Sequence, residues 1–492
     1  MNYKHPLSKP YWVIFGAVVI SIVAYLAYCA YFFRIGFPLD DAWIHQTYAR
    51  NLATEGRWIF TANTVSGGST APLWTLLLSL GYLIGLPSKL WAYFLGGVTL
   101  FTTAVFSVRW YQAKTDEGGL SAVGLGLLIV FEWHLVWAAV SGMETLLMGG
   151  IAVAVFWMIM QSPQRFWLAG ILIGLGMWVR PDALLLILPV LWILFSPSNA
   201  EVSAQFTAAR TFRVLAGACM LAIPYLFFNY LTAGSVWPTT FFAKQAEYAV
   251  LLETPLMLRT LEIVQAPLAG VGVLLLPAFL YHAFDLIWKK QYANLAPFVW
   301  VASYIGAYVL RLPVSYQHGR YLMPVLPVSL VLAYIGLNKL VGLLSERRAV
   351  RILQRTWIIS IILIAPIFWV IGARAYGQDV AIIESEMVDT AKWIRDNTPS
   401  GAKIAAHDIG AFGYYANRDL LDLAGLVSPE VIPIIRDEQA LEVLMNSEDV
   451  DYLMTFPGWY PHLTEVGEKL YQTEARFSPE QGGENMAVYR WP

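Results

Sequence analysis

The chain has 492 residues, of which 58% are hydrophobic and only 13% are charged, and its formal net charge is -2. Because soluble domains carry about a quarter charged residues, this composition excludes an ordinary soluble enzyme. The near balance of charge gives no indication of a nucleic-acid partner. Apolar runs of about 20 residues, the length that crosses a bilayer, recur along the chain. We therefore predict a polytopic α-helical membrane protein.

These apolar runs predict about eleven transmembrane helices. The run from Ala71 to Leu86 is also apolar, but it is short and ends in Gly-Leu-Pro. We therefore expect it to form a helix at the membrane interface that does not cross. The predicted spans cover residues 11–33, 88–111, 119–138, 143–160, 166–180, 182–197, 212–231, 263–286, 293–311, 321–344 and 356–375.

The distribution of charge predicts the orientation of these spans. With a cytoplasmic N-terminus, the inner loops are rich in Lys and Arg and poor in acids, as the positive-inside rule requires. An odd number of spans then places the C-terminus outside the cytoplasm, so we predict a multi-pass protein of the cell membrane. The inner basic residues are Lys114, Arg165, Arg210, Arg213, Lys289, Lys290, Arg347, Arg348, Arg351 and Arg355, and the inner acids are Asp116, Glu117, Glu201 and Glu346.

The composition changes near Tyr376, where charged residues, Gly, Pro and Asn become frequent and no span-length apolar run follows. We predict a membrane module over residues 1–375, with a first outer loop at 34–87 that carries interfacial helices. Residues 376–492 are predicted to form a small soluble extracytoplasmic α/β domain. Its expected elements are a helix from Ile382 to Asp396 and strands at 403–406, 451–454 and 486–489.

Asp40 and Asp41 are the most informative polar feature, because two adjacent carboxylates follow directly after the first predicted span. One aspartate could cap a helix from Ala42 to Leu52, but capping explains one carboxylate more easily than two. A carboxylate can also act as a general base on an acceptor hydroxyl. Paired carboxylates suit Mg²⁺, Mn²⁺ or Ca²⁺ as well, so the pair is also a candidate site for a divalent cation.

Three further polar residues fall at predicted outer ends of spans. Glu144 begins the fourth span, where the helix dipole favours an acid for structural reasons alone. Arg180 and Asp182 flank a proline between two spans, and they could simply pair with each other at the surface. In the functional interpretation, all three support a site built around the aspartate pair.

A second group of outer residues is basic. His318 and Arg320 flank Gly319 ahead of the tenth span, and Arg offers several donors to phosphate oxygens. Lys244 ends an aromatic segment that begins at Trp237, and such rings suit the headgroup region. Isolated loop residues of this kind are usually only solvated. Combined with the carboxylates, however, they fit chemistry on a lipid-linked phosphate.

Several short segments, in this order and on the same predicted side, resemble motifs of the GT-C glycosyltransferases, which are polytopic enzymes that use polyprenyl-phosphate sugars. The similarity covers most of the chain and is nearest to the bacterial arabinofuranosyltransferase-like type. The segments are Asp40-Asp41-Ala42-Trp43-Ile44, Tyr48-Ala49-Arg50-Asn51-Leu52, Gly68-Ser69-Thr70-Ala71-Pro72-Leu73-Trp74, Ser141-Gly142-Met143-Glu144-Thr145, Arg180-Pro181-Asp182, His318-Gly319-Arg320-Tyr321 and Asp408-Ile409-Gly410-Ala411-Phe412-Gly413-Tyr414-Tyr415.

The resemblance implies an inverting transfer of a hexosyl or pentosyl group from a polyprenyl-phosphate donor to an extracytoplasmic glycan, lipid or protein acceptor. One aspartate of the pair would be the general base, with Asp40 favoured over Asp41, while the other positions the acceptor or binds the cation. The expected donor-phosphate ligands are Arg180, His318, Arg320 and Lys244, and the expected supporting residues are Glu144 and Asp182.

Two other functions remain as alternatives. A transporter or flippase for lipid-linked sugars would place ionisable groups inside its spans and show internal repeats. No repeat is evident in the chain, and Glu132, next but one to His134, is the main mid-span charge. The other alternative is a catalytically inactive protein that binds sugar-lipids, which would bind a donor without turnover.

Overall fold

The computed structural model describes residues 8–61, 65–115, 118–161, 165–196, 204–343 and 348–492. Some charged residues on which the predicted orientation depends lie outside the described residues, namely Asp116, Glu117, Glu201, Glu346 and Arg347. The orientation of the chain in the membrane stays a prediction.

The first part of the described chain is built almost wholly of α-helices. Long apolar stretches favour helices in a bilayer, because every backbone N–H and C=O can then be satisfied within the segment. These helices are α1 (Ser8–Phe32), α2 (Asp41–Glu55), α3 (Pro72–Leu83), α4 (Ser88–Thr115), α5 (Leu120–Val130), α6 (Trp133–Val140), α7 (Thr145–Gln161), α8 (Phe166–Val179), α9 (Ile187–Phe195) and α10 (Ala204–Ala233).

A second set of helices completes the membrane module. The last of them, α17, has 36 residues and carries the chain from the final predicted span toward the C-terminal domain. The set comprises α11 (Thr239–Glu247), α12 (Leu256–Leu268), α13 (Val271–Trp288), α14 (Ala296–Arg311), α15 (Tyr316–Gly319), α16 (Leu326–Leu343) and α17 (Arg348–Ile383), with short 3-10 turns at Pro181–Leu186, Ala249–Glu253, Tyr292–Leu295 and Met323–Val325.

The helices support the predicted polytopic class. Among the described residues, seven helices are long and apolar enough to cross a membrane, and α5 with α6, bent by 56°, makes an eighth. Three shorter apolar segments, which are α7, α8 and α9 with its preceding turn, coincide with the remaining predicted spans. The helical membrane class with a small C-terminal sheet domain is therefore confirmed.

Two predicted spans are each divided between two α-helices. Residues 119–138 divide into α5 and α6, which meet at Phe131 and Glu132. Residues 263–286 divide into α12 and α13, because Gly270 between them has a φ of 94°, a conformation that is open to glycine and strained for other residues. The hydropathy of the sequence does not show either break, since both sides of each break are apolar.

Glu132, the mid-span charge, is the N-cap of α6. Its Oε2 accepts the backbone N–H of Leu135 at 3.0 Å, and its Oε1 lies 2.7 Å from Nδ1 of His134. The carboxylate thereby satisfies a backbone donor that the helix end leaves without a partner. Glu132 therefore has a structural role that requires no transport function.

The helix α3 is too short to cross a membrane upright. Its 12 residues correspond to a length of about 18 Å, whereas a hydrocarbon core is about 30 Å thick. The indole N–H of Trp74 on this helix donates to the carbonyl of Gly142 at 2.7 Å. This bond fastens the region between α1 and α4 to the segment that precedes α7.

The C-terminal part of the chain folds around a five-stranded mixed sheet with the order β2-β1-β3-β5-β4. The strand β1 pairs in parallel with β2 and β3, and β5 lies antiparallel between β3 and β4. The elements are α18 (Asp389–Asn397), β1 (Lys403–Ala406), α19 (Gly410–Tyr415), β2 (Asp419–Asp422), α20 (Glu438–Ser447), β3 (Tyr452–Thr455), α21 (Pro461–Val466), β4 (Glu468–Gln472), α22 (Phe477–Glu480) and β5 (Ala487–Arg490).

The predicted elements of this domain are largely correct in position. The strand at 403–406 matches β1, and the strands at 451–454 and 486–489 are each displaced by one residue from β3 and β5. The sequence does not predict β2 or β4, which carry charged residues and are partly exposed. The predicted helix from Ile382 to Asp396 is the end of α17, a π-helical turn (Glu384–Val388) and α18.

The π-helical turn connects the membrane module to the C-terminal domain through two buried acids. The carboxylate of Glu384 lies 3.0 Å from Nε of Arg34 and 3.1 Å from Nζ of Lys89, both in the membrane module. The carboxylate of Glu386 accepts the backbone N–H of Met486, in the C-terminal domain, at 2.9 Å. Opposite charges and hydrogen bonds thus fasten the turn to both parts of the protein.

Candidate active site

Asp40 and Asp41 lie where α2 begins, directly after the loop that leaves α1. Asp40 is at the N-cap position, but its side chain makes no capping hydrogen bond to α2. Helix capping, the structural alternative from the sequence, is therefore not what this carboxylate does. The two side chains instead bind different partners, one in the C-terminal domain and one in the membrane module.

The carboxylate of Asp40 binds the start of α19. The backbone N–H of Gly410 donates to its Oδ2 at 2.6 Å, and the N–H of Ala411 donates to its Oδ1 at 2.8 Å. Burial and the nearby carboxylate of Asp408 raise the pKa of Asp40 to about 8, although the two N–H donors act in the opposite direction. Both oxygens of Asp40 are therefore engaged in docking the C-terminal domain.

We expect Gly410→Ala to weaken the docking of α19 on α2, because a Cβ at this position would lie 2.0 Å from the backbone oxygen of Asp40. Overpacking of this kind typically costs about 1–3 kcal/mol, so the amides of α19 should exchange hydrogen faster. Gly401→Ala is the matched control in the same domain, since a Cβ there meets no described atom within 4 Å. Equal exchange rates in the two variants would contradict the expected strain.

The raised pKa of Asp40 also predicts a pH dependence of stability. Below about pH 4 this carboxyl is protonated in both the folded and the unfolded chain, whereas between about pH 4 and 8 only the folded chain keeps the proton. The stability contributed by this proton is complete at low pH and is lost as the pH rises through about 8. We expect the thermal unfolding temperature to fall over this range.

The variant Asp408→Asn tests the cause of this pH dependence. It removes a negative charge that raises the pKa of Asp40 in the folded protein, so the fall in unfolding temperature should end at a lower pH and be smaller in total. Asp449→Asn is the control, because Asp449 is exposed and lines neither of the cavities described below. Identical pH profiles for Asp408→Asn and the wild-type protein would exclude this carboxylate as a cause.

Asp41 pairs with Arg320. Nη2 of Arg320 lies 2.6 Å from Oδ2 of Asp41, and the arginine side chain is only 8% exposed. Burial raises the pKa of Asp41, but the positive charges of Arg320 and Lys244 outweigh it and hold that pKa well below its usual range. Among the described residues, Nε and Nη1 of Arg320 have no hydrogen-bond partner. The pair therefore presents an ionised carboxylate and a buried guanidinium with free donors.

Two cavities in the described part of the chain share Asp41 as a lining residue. Cavity A has a volume of about 340 Å³ and extends from Asp41 toward the turn that follows α8 and toward residues of α11 and α14. Cavity B has a volume of about 330 Å³ and extends from Asp41 to the C-terminal domain. Arg320 and Lys244 also line both cavities. The structure thus brings Asp41, Lys244 and Arg320 together where the cavities adjoin.

Cavity A combines apolar walls with an excess of cationic groups. Leu184, Trp237, Phe241 and Leu312 contribute apolar surface to it. Such a lining suits an anionic group attached to a hydrocarbon chain. Among the described residues that line it, the cationic side chains are Arg180, Lys244, Arg311 and Arg320, and the carboxylates are Asp41, Glu144 and Asp182.

Arg180 is the centre of a hydrogen-bonded network in cavity A. Its Nη1 donates to Glu144 at 3.0 Å, its Nε to Asp182 at 3.1 Å and its Nη2 to the hydroxyl of Tyr308 at 2.7 Å. Glu144 also lies 3.4 Å from Nε2 of His45. Arg180 and Asp182 therefore do pair, but within a network that includes buried Glu144. Because three partners engage the guanidinium, Arg180 supplies mainly positive potential to the cavity.

Lys244 adds a second fixed positive charge to the wall that the cavities share. Its Nζ lies 3.6 Å from Oε2 of Glu247, three residues later on α11. Burial lowers the pKa of Lys244, but the carboxylates of Asp41 and Glu247 outweigh it and hold that pKa well above its usual range. The ammonium group therefore stays charged in both cavities.

His318 is placed apart from Arg320, although the two residues are neighbours in sequence. Its Nε2 lies 2.8 Å from Oδ2 of Asp379, and its ring packs edge-on against Trp133 and Trp137. His318 is not among the described residues that line cavity A or cavity B. The sequence-based expectation that it contacts a donor phosphate has no support in this geometry.

The sequence does not single out several residues that the structure places around the cavities. His45 lies one helical turn after Asp41 on α2, and this i, i+4 spacing is the signal that would have indicated it. Glu247 lies one turn after a cation on α11. His407 follows β1, at the carboxyl end of a parallel strand, where binding sites are common. The next residue, Asp408, begins a segment that the sequence had indicated only by its resemblance to a family motif.

Asp40 and Asp41 do not fit the expected divalent-cation site. Both oxygens of Asp40 accept backbone N–H groups, and Oδ2 of Asp41 faces the guanidinium of Arg320 at 2.6 Å. Within the part of the chain that the structure describes, no group of three or more His, Cys, Asp or Glu side chains could hold a metal ion. A cation at this pair would have to displace these donors.

Solved membrane proteins share this architecture. The Archaeoglobus fulgidus oligosaccharyltransferase in complex with Zn and sulfate has a TM-score of 0.64 at 13% identity, covering 96% of this chain and 72% of that chain. The oligosaccharyltransferase AglB from the same organism, with an inhibitory peptide and a dolichol-phosphate, gives 0.62 at 13% identity over 92% and 70%. ArnT from Cupriavidus metallidurans bound to undecaprenyl phosphate gives 0.60 at 14% identity over 98% of each chain.

Similarity at the level of sequence is much sparser. Residues 375–489 match a family described as "Domain of unknown function (DUF8728)". No curated protein sequence matches the chain. At identities of 13% and 14%, the structural similarity establishes the fold, which is the GT-C fold of these membrane proteins. It does not confirm the arabinofuranosyltransferase-like subtype.

Proposed function

We propose that this protein transfers a glycosyl group from a polyprenyl-phosphate donor to an acceptor on the outer side of the membrane, with Asp41 as the general base. The observation that carries the proposal is the position of Asp41 in the lining of both cavities. There it is paired with Arg320, whose Nε and Nη1 have no partner among the described residues. A carboxylate and free donors to phosphate thus lie side by side.

Cavity A is the proposed donor site. The solved ArnT structure contains undecaprenyl phosphate and the AglB structure a dolichol-phosphate, and a phosphate on a long isoprenoid chain matches the apolar and cationic lining described above. We assign the donor phosphate to the guanidinium of Arg320, where Nε or Nη1 would donate to a phosphate oxygen while Nη2 keeps its bond to Asp41. Lys244 and Arg180 would add positive potential.

The proposed reaction exchanges one bond at the anomeric carbon for another. The acceptor hydroxyl oxygen bonds to that carbon while the bond from the carbon to the phosphate oxygen breaks. The electron pair leaves with polyprenyl phosphate, whose increased charge Arg320 and Lys244 stabilise. The hydroxyl proton passes to Asp41. Attack from cavity B on a donor held in cavity A inverts the anomeric centre, as the family resemblance implies for a hexose or a pentose.

Asp41 is a better candidate base than Asp40, which the sequence favoured. Asp40 has both oxygens engaged by backbone N–H groups and a pKa raised by burial to about 8, so it keeps a proton near neutral pH. Asp41 is ionised, although its low pKa makes it a weak base in the free protein. A phosphate bound to Arg320 would compete for the guanidinium charge and raise the pKa of Asp41.

The test is transfer of a labelled sugar by the purified full-length protein in nanodiscs. Polyprenyl-phosphate hexoses and pentoses serve as donors, and methyl glycosides and a membrane lipid extract serve as acceptors. We expect labelled product and released polyprenyl phosphate. Donor binding without turnover across the panel would indicate an inactive binding protein. Movement of donor across liposomes without transfer would indicate a transporter, for which Glu132 no longer provides support.

A further inference from the structure

Cavity B differs from cavity A in chemistry and in location. It lies between the membrane module and the C-terminal domain, to which His407, Asp408 and Trp459 belong. Among the described residues that line it, five are carboxylates, namely Asp40, Asp41, Glu247, Asp379 and Asp408, against the cations Lys244 and Arg320 and the histidine His407. The lining therefore contains more carboxyl groups, which accept hydrogen bonds, than cationic groups, which donate them.

Some polar atoms of this lining have no partner in the described part of the chain. Oδ2 of Asp408 is a buried atom without a hydrogen-bond partner, as are Nε and Nη1 of Arg320, whereas Oε2 of Glu247 makes no hydrogen bond but lies 3.6 Å from Nζ of Lys244. The Arg320 side chain is more than nine-tenths buried. Leaving buried polar groups unpaired costs about 1–3 kcal/mol each, so the cavity is suited to a ligand that brings its own donors and acceptors.

An aromatic surface completes the cavity. Trp459 is 49% exposed and packs against the ring of His407 at 4.9 Å and that of Phe456 at 5.0 Å between centroids. These neighbours hold the indole in place while leaving about half of it accessible. A flat apolar face beside carboxylate acceptors is the combination that a sugar ring requires, because its C–H face packs on the indole while its hydroxyls donate to the acids.

The charge of the lining discriminates among acceptors. A phosphorylated or carboxylated acceptor would bring like charge close to Asp408 and Glu247, at an electrostatic cost that grows as water is excluded. Neutral hydroxyls would instead donate to these same oxygens. Lys244 pairs with Glu247 and Arg320 pairs with Asp41, so the charges of these four groups largely cancel and Asp408 is the carboxylate that such an acceptor would meet.

We propose that cavity B binds a neutral, polyhydroxylated acceptor through its terminal sugar, with Trp459 stacking on the ring and Asp408 and Glu247 receiving its hydroxyls. This inference rests on the proposed function, since it identifies the acceptor class for the reaction at Asp41. It places the acceptor hydroxyl on the side of Asp41 opposite to the donor cavity. The C-terminal domain thereby becomes part of the acceptor site.

The experiment measures binding without turnover. Saturation-transfer NMR is recorded on the full-length protein in nanodiscs with saturating polyprenyl phosphate, which occupies the phosphate site of cavity A. Methyl mannopyranoside and methyl arabinofuranoside serve as neutral probes, and their sugar phosphates serve as charged probes. The variants are Trp459→Ala, Glu247→Gln and Asp408→Asn. Trp288→Ala is the matched control, because Trp288 is 77% exposed on α13 and lines neither cavity.

We expect the neutral probes to bind and the phosphorylated probes to bind at least about tenfold more weakly. Loss of the indole should weaken neutral binding about two- to tenfold, and each acid substitution should weaken it about fivefold or more. The control should bind as the wild-type protein does. Unchanged binding of polyprenyl phosphate shows that a variant is folded, and three independent variants keep the test informative if one of them loses that binding.

Equal or tighter binding of the phosphorylated probes would overturn the inference, as would neutral binding that survives all three substitutions. These outcomes are distinct from failure of the proposed function, because no donor sugar is present in the binding experiment. Transfer to phosphorylated acceptors alone would retain the glycosyltransferase and exclude the neutral acceptor. Binding of the neutral probes in cavity B without transfer from any donor would retain the neutral-sugar site and exclude the glycosyltransferase.

Discussion

Asp41→Asn is expected to lower kcat for glycosyl transfer by about 10²–10⁴-fold, the range that general-base catalysis usually supplies. Asparagine keeps the size of the side chain but cannot take up the proton of the acceptor hydroxyl. It also removes the charge that pairs with Arg320. Polyprenyl phosphate should therefore bind at least as tightly to the variant as to the wild-type protein, because its phosphate meets no competing carboxylate. The measurement is single-turnover transfer combined with direct binding of polyprenyl phosphate.

Asp40→Asn is the informative comparison for this prediction. The amide can accept only one of the two backbone N–H groups that Asp40 now accepts, and its own NH₂ would face the other. We expect looser docking of the C-terminal domain, seen as faster hydrogen exchange in α19, with residual transfer well above that of Asp41→Asn. The reverse order of residual activities would assign the base to Asp40 and contradict the present account.

Arg320→Gln is expected to raise the KM for the donor by about 30-fold or more. This figure corresponds to the cost of about 2–5 kcal/mol that usually follows when one partner of a buried, hydrogen-bonded charge pair is truncated. The phosphate would lose the free Nε and Nη1 donors of the guanidinium. Arg320→Lys should recover little of the affinity, because an ammonium group cannot hold Asp41 and a phosphate oxygen on separate nitrogens of one rigid plane.

The same variant makes a prediction about pH. Arg320 and Lys244 hold the pKa of Asp41 well below its usual range, whereas burial raises it. Without Arg320 the pKa of Asp41 should rise, so the acidic limb of the kcat/KM profile should move to higher pH. Arg476→Gln is the control, since Arg476 is an exposed residue that pairs only with Glu480 at 3.8 Å among the salt bridges of the described residues. An unchanged acidic limb in Arg320→Gln would show that the ionisation of Asp41 does not limit kcat/KM at low pH.

Much of the fold follows from the sequence because hydropathy is a direct consequence of the membrane environment. Long apolar runs mark the helices, and the change of composition near Tyr376 marks where such runs end. The breaks at Glu132 and Gly270 do not follow, because they depend on one cap and one backbone torsion inside uniformly apolar stretches. The strands β2 and β4 are missed because short, charged edge strands carry little alternation.

The sequence predicts several residues of the site, but it does not predict how they are arranged in space. The sequence picks out Asp41, Arg180, Lys244 and Arg320, which all line cavity A. It cannot show that Asp40 points away to a helix that lies 370 residues later, since that contact depends on how the C-terminal domain docks. For the same reason, nothing in the sequence of the membrane module indicates that acids of the C-terminal domain line cavity B.

A structure of the full-length protein with undecaprenyl phosphate bound would test the central claim most directly. The proposed mechanism predicts the phosphate in cavity A, with one of its oxygens at about 3 Å from Nε or Nη1 of Arg320. Asp41 should remain accessible from cavity B in that complex. A phosphate bound beside His318, or outside cavity A with Arg320 still paired only to Asp41, would contradict it.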